Sequence, residues 1–289
     1  MPLGMNPEVS VHDSDTNEWI GPELPLGGIT GIMAYQDAVI ARNRADARNE
    51  FTYIERGLNL GWAIQVWLNG GTILARRCTL GSSSDTPETV RINLLHAAWS
   101  SLINATRLAF YGAHVDAATL IRFALESAYH AEYFTDHPSA VADWCKASDL
   151  PSLDERRKHV RDFDTRQGHI RRQIATGCRH DQNLEKLYYE LCTYGSRANP
   201  MTVGLRLNRE ATDGANLGCL SFGLAHVTRR CALQILIVLE YTLALFRNGF
   251  PLYLNERRDL MSACSLFLIE ARSVRDAAAM EGASMFLEF

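Results

Sequence analysis

The sequence predicts an all-α fold, an antiparallel helical bundle, on three observations. Apolar residues recur at helical spacing, as in Ala118, Leu120, Ile121, Ala124, Leu125, Ala128 and Tyr129, and positions three and four apart share one helix face. Helix-start signals recur too. Thr86-Pro87 sets a capping hydroxyl before a proline whose missing N–H costs nothing at the first helical position, and Ser152-Leu-Asp-Glu155 has the spacing of a capping box. Finally, the apolar run Cys231 to Phe246 carries Gln234 and Glu240 and is only 16 residues long. A membrane span needs about 20 apolar residues, so this run reads as a buried core helix in which Glu240 needs a partner.

In chain order, residues 1–28 read as a disordered acidic arm and residues 29–289 as a single helical domain. The first thirty residues hold five acids, no lysine or arginine, and no continuous apolar run, so both parts of a signal peptide are missing. Helices are expected over Ile29 to Arg56 and Leu58 to Arg77, with Gly61, Gly70 and Gly71 as weak points or a break. The helix opened by Thr86 runs to Gly112. The next begins near Asp116 and stops at Asp136-His137-Pro138, and a short helix follows around Trp144. The capping box at Ser152 opens a helix with the apolar stripe Val160, Phe163, Ile170 and Ile174. A further helix covers Leu184 to Tyr194, and residues 199–217 lack a helical period, which suits a lid or a short strand at Thr202 to Leu207. The chain closes with a long apolar helix from about Leu220 to Phe246 and an amphipathic one from Asn255 to about Met280. No repeat of fixed period is present.

Bulk composition narrows function modestly. A net charge of −4 and a pI near 6.1 argue against a dedicated non-specific nucleic-acid binder. The basic residues are nearly all arginine, with Lys146, Lys158 and Lys186 the three lysines. That bias reads either as codon usage or as selection for planar phosphate-binding forks. Seven scattered cysteines form no C-x-x-C pair, which points to reduced thiols and a cytoplasmic location with no membrane attachment.

Two stretches stand out chemically. In the first, Arg122 and Glu126 lie one turn apart beside the apolar stripe that includes Tyr129, and His130 follows at the next turn. This spacing predicts a partly buried ion pair that fixes register or lines a pocket in the bundle. Glu126, His130, Glu132 and His137 also suggest a carboxylate–histidine metal site. The paired Glu-x-x-His motifs of di-iron bundles are absent, so no metal is expected and His130 is read as a packing residue. The second stretch, Arg156 to His180, holds eight basic residues against two acids, interleaved with His159, His169 and His180. On a helix Arg157, Arg161, Arg172 and Arg179 fall near one face and could grip phosphates, or they could form a solvated face balanced by acids elsewhere. Gly-rich phosphate loops, G-x-S-x-G and H-E-x-x-H are all missing, and no cofactor is expected.

The block Tyr111-Gly-Ala-His-Val-Asp-Ala-Ala-Thr-Leu-Ile-Arg122-Phe-Ala-Leu-Glu126, the following Thr-Asp-His-Pro and the later Leu187-Tyr-Tyr-Glu-Leu-Cys-Thr-Tyr-Gly-Ser-Arg-Ala-Asn-Pro200 resemble uncharacterised bacterial helical proteins of the HEPN (higher eukaryotes and prokaryotes nucleotide-binding) and abortive-infection type. The resemblance covers roughly residues 90 to 200. In that family a later element reads Leu-Ser-x-Tyr-x-His-Pro, and Arg197 stands here at the histidine position. The resemblance implies a HEPN-like core extended by N- and C-terminal helices. Its catalytic members are metal-independent endoribonucleases built on Arg followed after four to six residues by His. There arginine stabilises charge on the scissile phosphate and histidine moves a proton. Arg91 with His96 and Arg107 with His114 both fit that spacing, although neither arginine is followed by the usual polar residue. Arg107 and His114 have the better phase, about 20° short of two helical turns, with Gly112 between them.

Three functional readings follow. In the first, this is a cytosolic bacterial defence or stress protein acting on RNA or nucleotide phosphates, with Arg107 and His114 as the catalytic pair if it is an enzyme. In the second it is a non-catalytic module that forms a homo-oligomer or holds a partner. In the third it is a small-molecule enzyme with a pocket around Arg122, Glu126 and Tyr129.

Overall fold

The computed structural model describes residues 11–13, 18–20, 37, 40–70, 86–167, 183–194, 225–250 and 254–283. Within the acidic arm, where the sequence predicts disorder, Val11–Asp13 (β1) and Glu18–Ile20 (β2) pair as an antiparallel hairpin with Val11 opposite Ile20. The remaining described elements are helical, as the sequence predicts. They are α1 (Arg48–Gly70), α2 (Pro87–Phe110), α3 (His114–Asp136), α4 (Ala140–Asp149), α5 (Leu153–Arg166), α6 (Asn183–Tyr194), α7 (Ala225–Gly249) and α8 (Arg258–Met280).

Local chemistry sets several of these boundaries. Thr86 caps α2 by accepting from the Thr89 N–H at 3.2 Å, with Pro87 in the first turn. At the other end Gly112 takes a positive φ of 75°, a conformation L-residues avoid, and the chain reverses into α3. The capping box of α5 is complete, with Ser152 accepting from the Glu155 N–H and Glu155 accepting from the Ser152 N–H. That helix stops at Arg166, so Ile170 and Ile174 lie outside the described residues, as do Arg77, Leu220 and residues 199–217.

The expected weakness at Gly61 is corrected, because α1 runs unbroken across both Gly57 and Gly61. A Cβ on Gly57 would lie 2.6 Å from Leu239 Cδ2 and from Phe267 Cζ, and one on Gly61 would lie 2.6 Å from the Trp99 ring. Both glycines serve close helix approach. Residues 40–46 are also helical and lead into α1, since the Ala47 N–H reaches the Asn43 carbonyl and the Phe51 N–H reaches the Ala47 carbonyl.

Helix α7 is the axis of the bundle. Every residue from Cys231 to Phe246 is buried, because α1, α2, α3, α6 and α8 all pack on it. A helix apolar on all sides needs such a surround. The wider segment Val227–Gly249 is long and apolar enough to cross a membrane although the run from Cys231 to Phe246 alone is not, and 89% of its most apolar window is buried in the protein. Glu240 finds its partner in α8, where Arg275 Nε donates to Oε1 at 2.8 Å and Nη2 to Oε2 at 3.0 Å. Helices α1 and α8 run antiparallel, for Arg56 pairs with Glu270 at 2.7 Å while Arg257 lies over the Trp67 ring.

Candidate functional site

The α3–α6 interface brings together the predicted polar group of the bundle. Arg122 Nε donates to Glu126 Oε1 at 3.0 Å, and the Tyr188 hydroxyl donates to the same oxygen at 3.1 Å. Side-chain exposures of 23% and 17% make this a partly buried pair. Burial pulls the Arg122 guanidinium down, but the Glu126 hydrogen bond and charge outweigh it and hold the group above its ordinary value. Burial and then the Glu126 charge push the Tyr188 phenol well above its usual range. Tyr129 is buried in the core. His130 Nδ1 turns back to the Glu126 carbonyl at 2.7 Å, so this ring nitrogen is used within its own helix. No group of three or more His, Cys, Asp or Glu suited to a metal ion occurs among the described residues.

His114 opens α3 facing inward. The Thr228 hydroxyl donates to Asn43 Oδ1 at 3.1 Å, and Asn43 Nδ2 donates to the Phe110 carbonyl at 2.8 Å. A hydroxyl has one proton, so Thr228 accepts from His114 Nε2–H at 3.2 Å. Burial, with the Arg230 charge second, lowers the His114 pKa to about 4. Arg107, by contrast, is exposed and reaches Asn104 Oδ1 at 3.4 Å. The two residues stand in different surroundings. Arg91 is likewise occupied, with Nε on the Ala131 carbonyl at 3.3 Å, Nη2 on the Gly249 carbonyl at 3.4 Å, and the guanidinium over the Phe250 ring. His96 hydrogen-bonds Gln65.

Of the predicted basic face, Arg157 and Arg161 are exposed on α5, and Arg172 and Arg179 lie outside the described residues. Arg157 stands 3.9 Å from Asp154, whereas Arg161 meets no carboxylate among the described residues. Their neighbour Arg166 is held by Asp143 at 2.7 Å.

Sequence reasoning misses a second basic surface. Arg44, Arg48, Phe51 and Glu55 follow one another at i, i+4, i+7 and i+11 and, with Ala45 and Phe110 of α2, line an open cleft of about 420 Å³. The Phe51 and Phe110 rings pack with centroids 4.4 Å apart, and the Arg44 guanidinium lies over Phe110 at 4.7 Å. Arg44, Arg48 and Arg107 are exposed and have no carboxylate within ion-pair distance among the described residues. The helical spacing of the four residues is readable in the sequence. What is not readable is that Phe110, 59 positions after Phe51, supplies the opposite wall.

Comparison with protein-family models, curated proteins and solved structures finds no match for this chain.

Proposed function

We propose that this protein binds the phosphates of RNA or nucleotides through exposed arginines on a HEPN-like helical bundle. One observation carries the reading. Arg44, Arg48, Arg107 and Arg161 stand exposed with no carboxylate partner among the described residues, whereas Arg56, Arg122, Arg166, Arg229 and Arg275 are all paired. A guanidinium left without a carboxylate partner keeps most of its donor fork available to a phosphate. The resemblance over residues 90 to 200 favours the same ligand class and a bacterial defence or stress role in the cytosol. Cleavage by Arg107 and His114 has less support than binding, since His114 is neutral and its Nε2 is spent on Thr228.

The test is retention of total RNA by the purified protein at low salt, with integrity of the RNA followed with and without EDTA. Retention that fades as salt rises supports the reading, and failure to retain RNA at any salt removes it. A partner-holding or self-associating module is the second reading. It is favoured by the exposed Leu266, Ile269 and Met280 of α8, at 51%, 69% and 84% exposure, which share one helix face within about 60°.

A further inference from the structure

We infer that the cleft between residues 44–55 and Phe110 is a binding site for a guanine nucleotide, free or as an unstacked guanosine in RNA. The inference rests on the phosphate-binding reading and adds the base. Along one helix face the exposed chemistry runs from the cations Arg44 and Arg48 to the carboxylate of Glu55, with Phe51 buried beneath them against Phe110. At 1.5 Å per residue, Arg48 and Glu55 are about 10 Å apart along the axis, the span from a nucleotide's phosphate to the far edge of its base. The Phe110 ring is covered by Phe51 on one side and by the Arg44 guanidinium at 4.7 Å on the other, so the outward plane of that exposed guanidinium is the surface on which a base would stack between these ends. Bases stack on aromatic rings and on guanidinium planes alike.

The two ends fix the orientation. Arg48 has no carboxylate partner among the described residues and takes the phosphate with the edge of Arg44. Glu55, exposed and likewise unpaired among the described residues, repels phosphate and can only accept hydrogen bonds. Guanine presents N1–H and its exocyclic N–H side by side and satisfies both carboxylate oxygens. Adenine sets an acceptor nitrogen beside its amino group and satisfies one. The cleft has a volume of about 420 Å³ and is open to solvent.

The experiment is equilibrium titration of the full chain with GTP, ATP and inorganic tripolyphosphate, repeated on Arg44→Gln/Arg48→Gln and on Glu55→Gln, with circular dichroism confirming that each variant folds. A short single-stranded RNA with one guanosine, titrated in parallel, separates the polymeric ligand from the free one. GTP should bind about 10-fold tighter than ATP, as one bidentate base contact predicts, and tripolyphosphate weaker than either. The double arginine variant should lose GTP at least about 10-fold, and Glu55→Gln should erase the preference for GTP over ATP. Absent GTP binding, equal binding of GTP and tripolyphosphate, or binding untouched by both variants overturns the site. RNA retained at low salt alongside any of those results leaves the broader phosphate reading standing, and loss of RNA retention as well removes both.

Discussion

Glu240 and Arg275 are the most enclosed ion pair in the described bundle, with side-chain exposures of 7% and 8%. Such a pair contributes little net stability against a well-packed apolar alternative, but removing one member strands a buried charge. Glu240→Ala should therefore cost about 3–5 kcal/mol in urea unfolding, and a loss under about 1 kcal/mol would place Arg275 in water. The need for a partner is legible in the sequence, because a carboxylate stands alone in an apolar run. Its identity is not, since no local spacing connects residues 240 and 275. His114 gives a prediction in pH. Its folded pKa is depressed to about 4, whereas an unfolded imidazole titrates near 6.5. Between those values the unfolded chain binds the extra proton, so stability is full above about pH 6.5 and falls as pH drops towards 4. The contribution is roughly 3 kcal/mol. His114→Gln, which keeps an N–H donor for Thr228, should flatten that part of the stability–pH curve, and unchanged curves would show that His114 reaches solvent.

At the scale of elements, α1 turns on two glycines, Gly61, which the sequence marks as a weak point, and Gly57, which falls in the gap between the two helices expected there. Gly57 lies where α1 crosses α7 and α8, with Leu239 and Phe267 too near for a Cβ. Gly57→Ala would raise intrinsic helix propensity by about 1 kcal/mol, yet overpacking at such a crossing costs typically about 1–3 kcal/mol. Thermal melting should show net destabilisation, and a rise in Tm would mean that the crossing is loose. Propensity alone gives the wrong sign because the constraint is tertiary. Helix starts are easier to read, since Thr86 and Ser152 act on N–H groups three residues away and local chemistry decides them. The reversal between α2 and α3 falls at Gly112, as the sequence indicates, while α3 begins at His114 rather than near Asp116. Its first turn has no side-chain cap, so no local signal marks that start.

For the whole molecule, the buried run of α7 makes the all-α class legible, and its position at the centre follows from being apolar on every side. The polar group at Arg122 and Glu126 is legible as a pair, but Tyr188 arrives from α6 by a packing that no spacing encodes. The same holds for the cleft, where Arg44 and Arg48 meet Phe110 only after folding. Phosphate binding through exposed, unpaired arginines is the central claim, and counterion release supplies its most direct test. Binding of a single-stranded RNA is measured from low to moderate salt for the wild type and for Arg44→Gln/Arg48→Gln/Arg107→Gln. Each lost phosphate contact on a single strand flattens the slope of log K against log salt by about 0.7, so three contacts predict a change of about 2. A triple variant that binds RNA with the wild-type affinity and slope would contradict the account.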